Sequence, residues 1–404
     1  MGQASHKRGC SRGNATAEAK HADNFGSTPP VLTPVRSNCR KKPRHLHQHD
    51  APPIVVMLPG FTGSHLAVDG ERVWLHPRMF TRGFETLSVS SDLRQVEADG
   101  WISRYYLPFA HTLSIHNELH CFPYDWRLSI AWNAERFINA LGDLLENPRS
   151  FGRPLRLIGH SMGGLILLYT ALTRPQLWRR LCLHHEARML IAASPTAGTY
   201  SSVRMLTGTE PQVGYLAAID RRTSQHEWIN VIRRFPGGLE TLPRWGGWDF
   251  FDRGTWQDIR RHCSATWTIP EQQDLTEARH VSDVLHRGTP QHLDRIGYMI
   301  GVTGKTPHGL ELSAGGKLEY RMTSRGDTLA TVHEGMPRWS HPVLLDGVSH
   351  GSVFRARQHF ETMHQLLETN VLDRDEPPQT PPMPARLRAG VALFASRLVP
   401  APAR

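Results

Sequence analysis

The sequence lacks a long apolar run around its central motif. The longest uncharged apolar stretch there, residues 162–172, is too short to cross a bilayer as a helix. No apolar segment follows the first basic residues, so we expect no secretory signal of the usual kind. Together these features predict a cytoplasmic protein without a membrane span, and export by a non-classical route stays open.

Cysteine is scarce and scattered. The 404 residues hold five cysteines, an odd number that excludes a complete disulfide framework, and none has the spacing of a metal site. We therefore expect reduced thiols, as in a cytoplasmic protein, and no metal or organic cofactor. The five are Cys10, Cys39, Cys121, Cys182 and Cys263.

Lysine is scarce as well, and its distribution sets the first segment apart. Four of the six lysines lie in residues 1–50, where nine Lys or Arg face three Asp or Glu. This basic stretch, rich in Gly, Ser, Asn and Pro, predicts a disordered N-terminal tail over 1–51. Such a tail can bind anionic lipid or nucleic acid, but more often it is only solvated. We expect no nucleic-acid partner, and peripheral membrane contact stays open.

The most informative segment that is present reads Gly159-His160-Ser161-Met162-Gly163. An apolar run at 155–158 precedes it, and an apolar stretch typical of a buried helix follows at 165–172. A Gly-x-Ser-x-Gly pattern between strand and helix is typical of a nucleophile elbow, in which the serine lies on a strained turn. Ser161 is therefore the candidate nucleophile, against the alternative of a chance turn. We expect the side chain of His160 to point away from this elbow.

Other segments predict a sheet and helices around the motif. Apolar runs typical of parallel strands buried on both faces occur at 54–58, 155–158, 188–193, 298–303 and 342–345. Amphipathic helices are predicted from Asn133 to about residue 146 and from Ser352 to about residue 372. This alternation predicts an α/β fold of the α/β-hydrolase type, with a mostly parallel, doubly wound sheet. We place this domain at 52–374 and a Pro-rich C-terminal tail at 375–404.

Two stretches, 64–120 and 199–295, break the alternation. The longer one is predicted to be an inserted cap or lid, because insertions at the C-terminal edge of a sheet usually cover the site. Five of the eleven tryptophans lie in it, and they would suit an apolar substrate or, equally, the core of a small cap. They are Trp228, Trp245, Trp248, Trp256 and Trp267.

A serine nucleophile needs a histidine base that a carboxylate orients. His350 is the predicted base, because it follows the last predicted strand and has small neighbours. Asp327, 23 residues earlier, is the predicted acid, and Asp346 is its rival. The oxyanion is expected to bind two backbone N–H groups, those of Met162 after the nucleophile and Phe61 in the loop after the first strand.

These motifs resemble the lecithin:cholesterol acyltransferase family, which also includes phospholipid:diacylglycerol acyltransferases and bacterial relatives. The resemblance covers about 53–370, and its most specific pointer is the Tyr-Asp-Trp-Arg motif at 124–127. It implies a bacterial-type member of the α/β-hydrolase superfamily, with Ser161 as nucleophile and Asp327 and His350 as its partners. The matching segments are 59–64, 73–75, 122–128, 159–164, 194–198, 206–208, 235–243, 326–328 and 349–351.

The predicted function is lipid O-acyl transfer through an acyl-serine intermediate, in lipid metabolism. The substrate would be a lipid or other ester, and the acceptor an alcohol or water. A lipase or esterase with the same triad is therefore the alternative; the resemblance favours transfer, whereas the residues alone permit either. The rival from another class is a catalytically dead member of the fold that only binds lipid or protein. It is disfavoured because all three triad positions have candidates.

Overall fold

The apolar runs of the sequence form a central sheet. The structure, a computed structural model, describes residues 32–35, 51–79, 83–89, 96–220, 222–262, 268–333 and 335–369. Its strands are, in chain order, Thr33–Pro34 (β1), Ile54–Leu58 (β2), Ser64–Val68 (β3), Glu71–Arg72 (β4), Val96–Trp101 (β5), Glu118–Cys121 (β6), Leu155–His160 (β7), Arg188–Ala192 (β8), Ile296–Val302 (β9), Thr306–Leu312 (β10), Leu318–Thr323 (β11) and Val343–Asp346 (β12).

Seven of these strands build the main sheet, in the order β1-β6-β2-β7-β8-β9-β12. Neighbouring strands pair in parallel except at one edge, where β1 runs antiparallel to β6. Every residue of β2 and β7 is buried, as expected for parallel strands covered on both faces. All the predicted strands lie in this sheet, each within two residues of its predicted ends.

The edge strand β1 lies inside the segment that was expected to be a disordered tail. Thr33 and Pro34 pair with Cys121 and His120, so the expectation does not hold at these two residues. A proline fits this position because an edge strand has one side without a ladder partner. Residues 1–31, 36–50 and 370–404, which include most of both predicted tails, lie outside the described residues.

Helices follow the strands in the predicted alternation. Those described are, in chain order, Ser103–Leu113 (α1), Ile130–Glu146 (α2), Met162–Thr173 (α3), Pro175–His184 (α4), Tyr200–Leu206 (α5), Pro211–Ile219 (α6), Gln225–Ile232 (α7), Pro236–Leu239 (α8), Arg253–Arg261 (α9), Gln272–Arg287 (α10) and Phe360–Glu368 (α11). Within the described ranges, none of them is both long enough and apolar enough to cross a bilayer.

The two faces of the sheet carry separate hydrophobic cores. Successive strand residues point to opposite faces, so Val56 and Leu157 belong to one core and Val55 and Ile158 to the other. Residues of α2, α3 and α10 complete the first core, and residues of α1 and α11 complete the second. A mostly parallel sheet between two layers of helices confirms the predicted doubly wound α/β class.

Two predicted helices begin differently in the structure. The α2 helix starts at Ile130, capped by the Ser129 hydroxyl, which accepts a hydrogen bond from the Ala131 N–H at 3.1 Å. Asn133, the predicted cap, is buried inside the helix, and its amide donates to the Asp125 carbonyl at 2.9 Å. The helix predicted from Ser352 is instead two 3-10 turns, His350–Arg355 and Arg357–His359, that lead into α11.

The segment predicted as a cap contains α5 to α9 and also α10. Because α10 packs against α3, it is a crossover helix of the sheet layer between β8 and β9. The other irregular stretch, 64–120, contacts the cap although the two lie far apart in the sequence. The ring of Phe84 stacks on that of Trp228, with centroids 3.6 Å apart.

The cap is attached to the hairpin β10–β11 through tryptophans. The indole N–H of Trp245 donates to the His308 carbonyl at 3.0 Å, and that of Trp248 donates to the Leu310 carbonyl at 2.8 Å. Trp256 is fully buried within the cap. Three of the tryptophans therefore build and attach the cap, and Trp267 lies outside the described residues.

Candidate active site

Ser161 lies at a sharp turn between β7 and α3. Its φ of 52° and ψ of −122° are rare for a residue with a side chain, and its N–H donates to the Ala192 carbonyl at 2.8 Å. Two glycines permit the close packing around it. A Cβ on Gly163 would lie 2.4 Å from the Pro59 oxygen, and one on Gly164 would lie 2.0 Å from the Ser194 Oγ. This strained strand–turn–helix is the geometry of a nucleophile elbow.

Asp327 and His350 are in direct contact. The Nδ1 of His350 lies 2.8 Å from one carboxylate oxygen of Asp327, and its backbone N–H donates to the Asp327 carbonyl at 2.7 Å. The other carboxylate oxygen accepts hydrogen bonds from the N–H groups of Leu329 at 3.0 Å and Ala330 at 2.7 Å. Asp327 is completely buried, so its charge is held by these donors rather than by water.

The rival acid, Asp346, lies elsewhere. It ends β12 and is exposed, whereas Asp327 is the carboxylate that the His350 ring contacts. Because a carboxylate can orient an imidazole only by direct hydrogen bonding, the geometry favours Asp327 of the two candidates.

One cavity of about 470 Å³ connects the remaining candidates. Ser161, His350, Phe61 and Met162 all line it, and Asp327 lies behind His350. Thus the structure brings together the five residues that the sequence proposed for the site, although they lie in four separate segments of the chain. Among the described residues, no group of His, Cys, Asp or Glu is arranged to hold a metal ion.

The cavity has walls of different character. Aromatic and aliphatic side chains, all but one of them from the cap and the first irregular stretch, form the larger wall. They include Trp74, Phe84, Trp126, Leu216, Trp228, Ile232 and Phe235. A polar wall holds Thr199, Ser201, Ser202, Thr241 and Glu210. Burial raises the pKa of the Glu210 carboxyl, while the Arg204 guanidinium 3.7 Å away acts in the opposite sense.

The loop after β2 is held in place by the side chain of Tyr106 in α1. The Gly60 N–H donates to the Tyr106 hydroxyl at 2.8 Å, so it is already engaged. The next N–H along, that of Phe61, belongs to a residue that lines the cavity. On the other side, Met162 is the first residue of α3, and the first N–H groups of a helix have no intrahelical acceptor. These two N–H groups are therefore the natural donors for an oxyanion.

The Tyr-Asp-Trp-Arg motif supports this loop. The Tyr124 hydroxyl donates to the Pro59 carbonyl at 2.8 Å, and the Trp126 indole donates to the Ser64 carbonyl at 3.1 Å, so the two bonds span the loop. Arg127 pairs with Asp125 at 2.6 Å and also donates to the Leu87 carbonyl at 2.8 Å. The motif thus fixes the loop and the neighbouring irregular stretch, while Trp126 also lines the cavity.

Sequence reasoning did not find a role for His160 or Tyr106. The His160 ring is buried between the rings of Tyr106 and His350, with centroids 5.7 and 5.0 Å away. Tyr106 comes from α1, 54 residues earlier in the chain. The only signal available was the position of His160 next to the nucleophile, since nothing in the local sequence marks Tyr106.

The sheet and the elbow together are those of an α/β-hydrolase fold. Residues 114–249, about a third of the chain, match the family model described as lecithin:cholesterol acyltransferase. This match bears out, over this part of the chain, the resemblance predicted from the motifs.

Individual relatives match shorter stretches. Human phosphatidylcholine-sterol acyltransferase is 44% identical over 57 residues, which cover 14% of this chain and 13% of the relative. Mouse lysosomal phospholipase A and acyltransferase is 29% identical over 116 residues, covering 28% of this chain and 27% of the relative. The chain thus matches well under a third of the length of either relative.

Among solved structures, a chain in the crystal structure of the Tle4-Tli4 complex is similar in fold. The TM-score is 0.51 at 11% sequence identity, and the alignment covers 79% of this chain and 98% of that chain. At this identity the likeness concerns the fold alone.

Proposed function

We propose that the protein transfers acyl groups from a lipid ester through an acyl-Ser161 intermediate. The observation that carries the proposal is one cavity lined by both Ser161 and His350, with His350 bonded to the buried Asp327. The apolar wall of that cavity suits an acyl chain, and the two family relatives are named as acyltransferases.

The first half of the reaction forms the acyl-enzyme. His350 takes the proton of the Ser161 hydroxyl as its oxygen attacks the ester carbonyl, and Asp327 keeps the imidazole in the tautomer with a free Nε2. The N–H groups of Phe61 and Met162 bind the oxyanion. His350 then gives the proton to the departing alcohol, and the acyl group remains on Ser161 as an ester.

The second half decides between transfer and hydrolysis. An acceptor alcohol, or water, loses its proton to His350 as it attacks the acyl-Ser161 carbonyl, and the serine hydroxyl is restored by that proton. Ser202 lines the cavity, and its hydroxyl bonds to the Thr241 hydroxyl at 2.8 Å, which in turn donates to the Gly238 carbonyl, so the Ser202 oxygen is left to accept a hydrogen bond from an acceptor alcohol. An acceptor oriented in this way favours acyl transfer, and hydrolysis by the same triad is the alternative outcome.

We also propose peripheral contact with a lipid surface at the cavity mouth. The helix α6 has no charged residue; Val213 and Leu216 line the cavity, while Tyr215 and Ile219 are 71% and 54% exposed. An uncharged helix with apolar residues on its outer side, next to a cavity for a lipid, suits a lipid–water interface.

The deciding experiment compares the wild type with Ser161→Ala on a labelled phospholipid, with and without a long-chain alcohol or sterol. A serine-dependent ester that forms only with the acceptor supports acyl transfer, and free fatty acid in both conditions supports a lipase. Ser150→Ala is a matched control, because Ser150 is a buried serine that bonds to the Leu144 carbonyl in the turn before β7, at the end of that strand opposite Ser161. Equal activity in wild type and Ser161→Ala would overturn the proposal.

A further inference from the structure

A buried chain of hydrogen bonds runs from the oxyanion loop to the candidate base. We propose that Tyr106 and His160 act as positioning residues, which fix the Gly60–Phe61 loop relative to His350 for the reaction. The inference rests on the proposed function of Ser161 and His350. Neither Tyr106 nor His160 is assigned any contact with the reacting atoms.

Three contacts make up this chain. The Gly60 N–H donates to the Tyr106 hydroxyl at 2.8 Å, and this hydroxyl lies 3.0 Å from the Nδ1 of His160. The Nε2 of His160 lies 3.0 Å from the backbone carbonyl oxygen of His350. Two side chains therefore connect the backbone of the residue before Phe61 with the backbone of the candidate base.

The carbonyl group of His350, at the end of this series of hydrogen bonds, fixes the direction of every hydrogen bond in the series. The His350 carbonyl oxygen can only accept, so the Nε2 of His160 carries a proton and donates. In the neutral ring Nδ1 is then an acceptor, and it takes the hydroxyl proton of Tyr106. That leaves the Tyr106 oxygen to accept from Gly60. The Tyr106 oxygen thus has two partners and each ring nitrogen of His160 has one, and no other arrangement of protons satisfies all three contacts with a neutral ring.

The surroundings keep the ring neutral. Tyr106 and His160 are 2% and 7% exposed, and Phe354 packs on both rings. Burial, together with the neighbouring His350, lowers the pKa of His160 to about 3. Burial raises the pKa of Tyr106. Tyr106 and neutral His160 therefore keep the same protonation states over the pH range in which a serine–histidine pair operates.

Packing alone does not account for these residue types. Phenylalanine at both positions would fill similar volume without burying three polar atoms, and unsatisfied buried polar groups are costly. Because all three buried polar atoms have hydrogen-bond partners, these contacts fix the distance between the loop and His350 to within the small variation in hydrogen-bond length. An oxyanion donor and a base must both meet one tetrahedral centre, where a misplacement of about 1 Å costs about a hundredfold in rate.

The test uses Tyr106→Phe, which removes the hydroxyl and keeps the ring. We expect kcat to fall about tenfold to a hundredfold with KM within a few-fold, because the ring of Tyr106, which lines the cavity, is kept and only its hydroxyl is removed. His160→Leu should cost about as much. His160→Gln should recover most of the loss, since its amide can accept from Tyr106 and donate to His350.

The double variant Tyr106→Phe with His160→Leu should lose no more than either single variant, because both break one chain. Tyr200→Phe is the matched control: it also removes one buried tyrosine hydroxyl, which donates to the Trp245 carbonyl within the cap, away from the cavity lining. Tyr106→Phe activity equal to that control would overturn the proposal, as would losses that multiply in the double variant.

A spectroscopic measurement separates this inference from the proposed function. In protein labelled with ¹⁵N-histidine, His160 should give the Nε2–H tautomer and should not titrate between pH 5 and 9. An Nδ1–H tautomer, or titration in that range, overturns the chain of hydrogen bonds whatever the activity. Loss of the serine-dependent reaction, with this tautomer intact, would instead remove the proposed function.

Discussion

At the scale of single residues, the site depends on positions that leave no room for a side chain. A Cβ on Gly60 would lie 3.0 Å from the Cβ of Ser161, and one on Gly164 would lie 2.0 Å from the Ser194 Oγ. Ser161 itself has a positive φ of 52°, a conformation that costs about 1–3 kcal/mol and must be offset by the packing around it. The close packing around the turn therefore fixes the backbone and Cβ of Ser161 at the wall of the cavity.

The contact between Asp327 and His350 gives a prediction at this scale. Asp327→Asn should lower kcat about 10⁴-fold, as in other serine triads, because an amide no longer holds the imidazole in the reactive tautomer. The measurement is steady-state turnover of a short-chain ester, together with the rate of Ser161 labelling by a fluorophosphonate. Asp346→Asn is the control, since it changes the exposed rival carboxyl near the same histidine. If the Asp346 variant lost the activity instead, the acid would be reassigned.

At the scale of elements, helix starts are less predictable from sequence than buried strands. The strands were found because parallel strands buried on both faces give continuous apolar runs, such as Ile54–Leu58. The start of α2 was misplaced because Ser129 and Asn133 are both good capping residues, and only tertiary contacts distinguish them. β4 has only two residues and β5 carries charged residues at Glu97 and Asp99, so neither gives the continuous apolar run of a strand buried on both faces.

The site residues likewise fall into those that the sequence could identify and those that it could not. The elbow and the loop after β2 have local sequence signals, so Ser161, Met162 and Phe61 could be named from the sequence. The contact between Asp327 and His350 could be anticipated from chain order. The hydrogen bonds of Tyr106 and His160 could not, because they join residues 54 and 190 positions apart and depend on how α1 packs.

The start of α2 gives a prediction about pH. Glu240 is fully buried and accepts hydrogen bonds from the Ser129 hydroxyl and the Ile130 N–H at 2.6 Å. Burial raises its pKa to about 8 from an ordinary value of 4.5. The folded state thus keeps a proton that the unfolded state loses, so this contribution to stability is complete below about pH 4.5 and is lost as pH rises towards 8.

Glu240→Gln has no such proton to lose. The free energy of unfolding of the wild type, relative to that of Glu240→Gln, should therefore fall between pH 5 and pH 8. Urea denaturation of both proteins at the two pH values measures it, with circular dichroism to check that both are folded. An equal difference at both pH values would contradict the prediction.

The helix α6 gives a second prediction for an element. Replacing Tyr215 and Ile219 by serine should slow the reaction on phospholipid vesicles severalfold, because the outer side of the helix loses its apolar contact with lipid. The rate on a dissolved short-chain ester should stay the same. Leu183→Ser is the control, since Leu183 is 63% exposed near the end of α4, just before β8 starts, whereas the elbow follows the opposite end of the neighbouring strand β7. An equal slowing on both substrates would indicate damage to the site rather than lost lipid contact.

At the scale of the whole molecule, cap and sheet form one connected body. The Thr199 hydroxyl donates to the Leu329 carbonyl beside Asp327, and the Phe84–Trp228 stack joins the first irregular stretch to the cap. These contacts, with the two indole bonds to β10, connect segments far apart in sequence. The cap should therefore unfold together with the sheet rather than before it.

Thermal unfolding followed by two probes tests this prediction. Five of the eleven tryptophans lie in the cap segment, so tryptophan fluorescence includes a contribution from the cap, and far-ultraviolet circular dichroism reports on the sheet and its helices. The two transitions should coincide in the wild type. Replacing both Trp245 and Trp248 by phenylalanine removes their hydrogen bonds to β10 and should lower the midpoint of both transitions. A fluorescence change well below the circular dichroism transition in the wild type would contradict the prediction.

The attachment of the cap has a consequence for how this scaffold can diversify. Both indoles bond to backbone carbonyls of β10, which every amino acid provides, whereas in β11 the side chain of Tyr320 contacts the cap through the Thr207 hydroxyl at 2.9 Å. The exposed positions of the hairpin, such as Leu312 and Met322, can therefore accumulate substitutions while the cap stays in place. In laboratory evolution, these exposed positions are the ones to randomise, and Tyr320 and the loop around Gly60 are ones to leave alone.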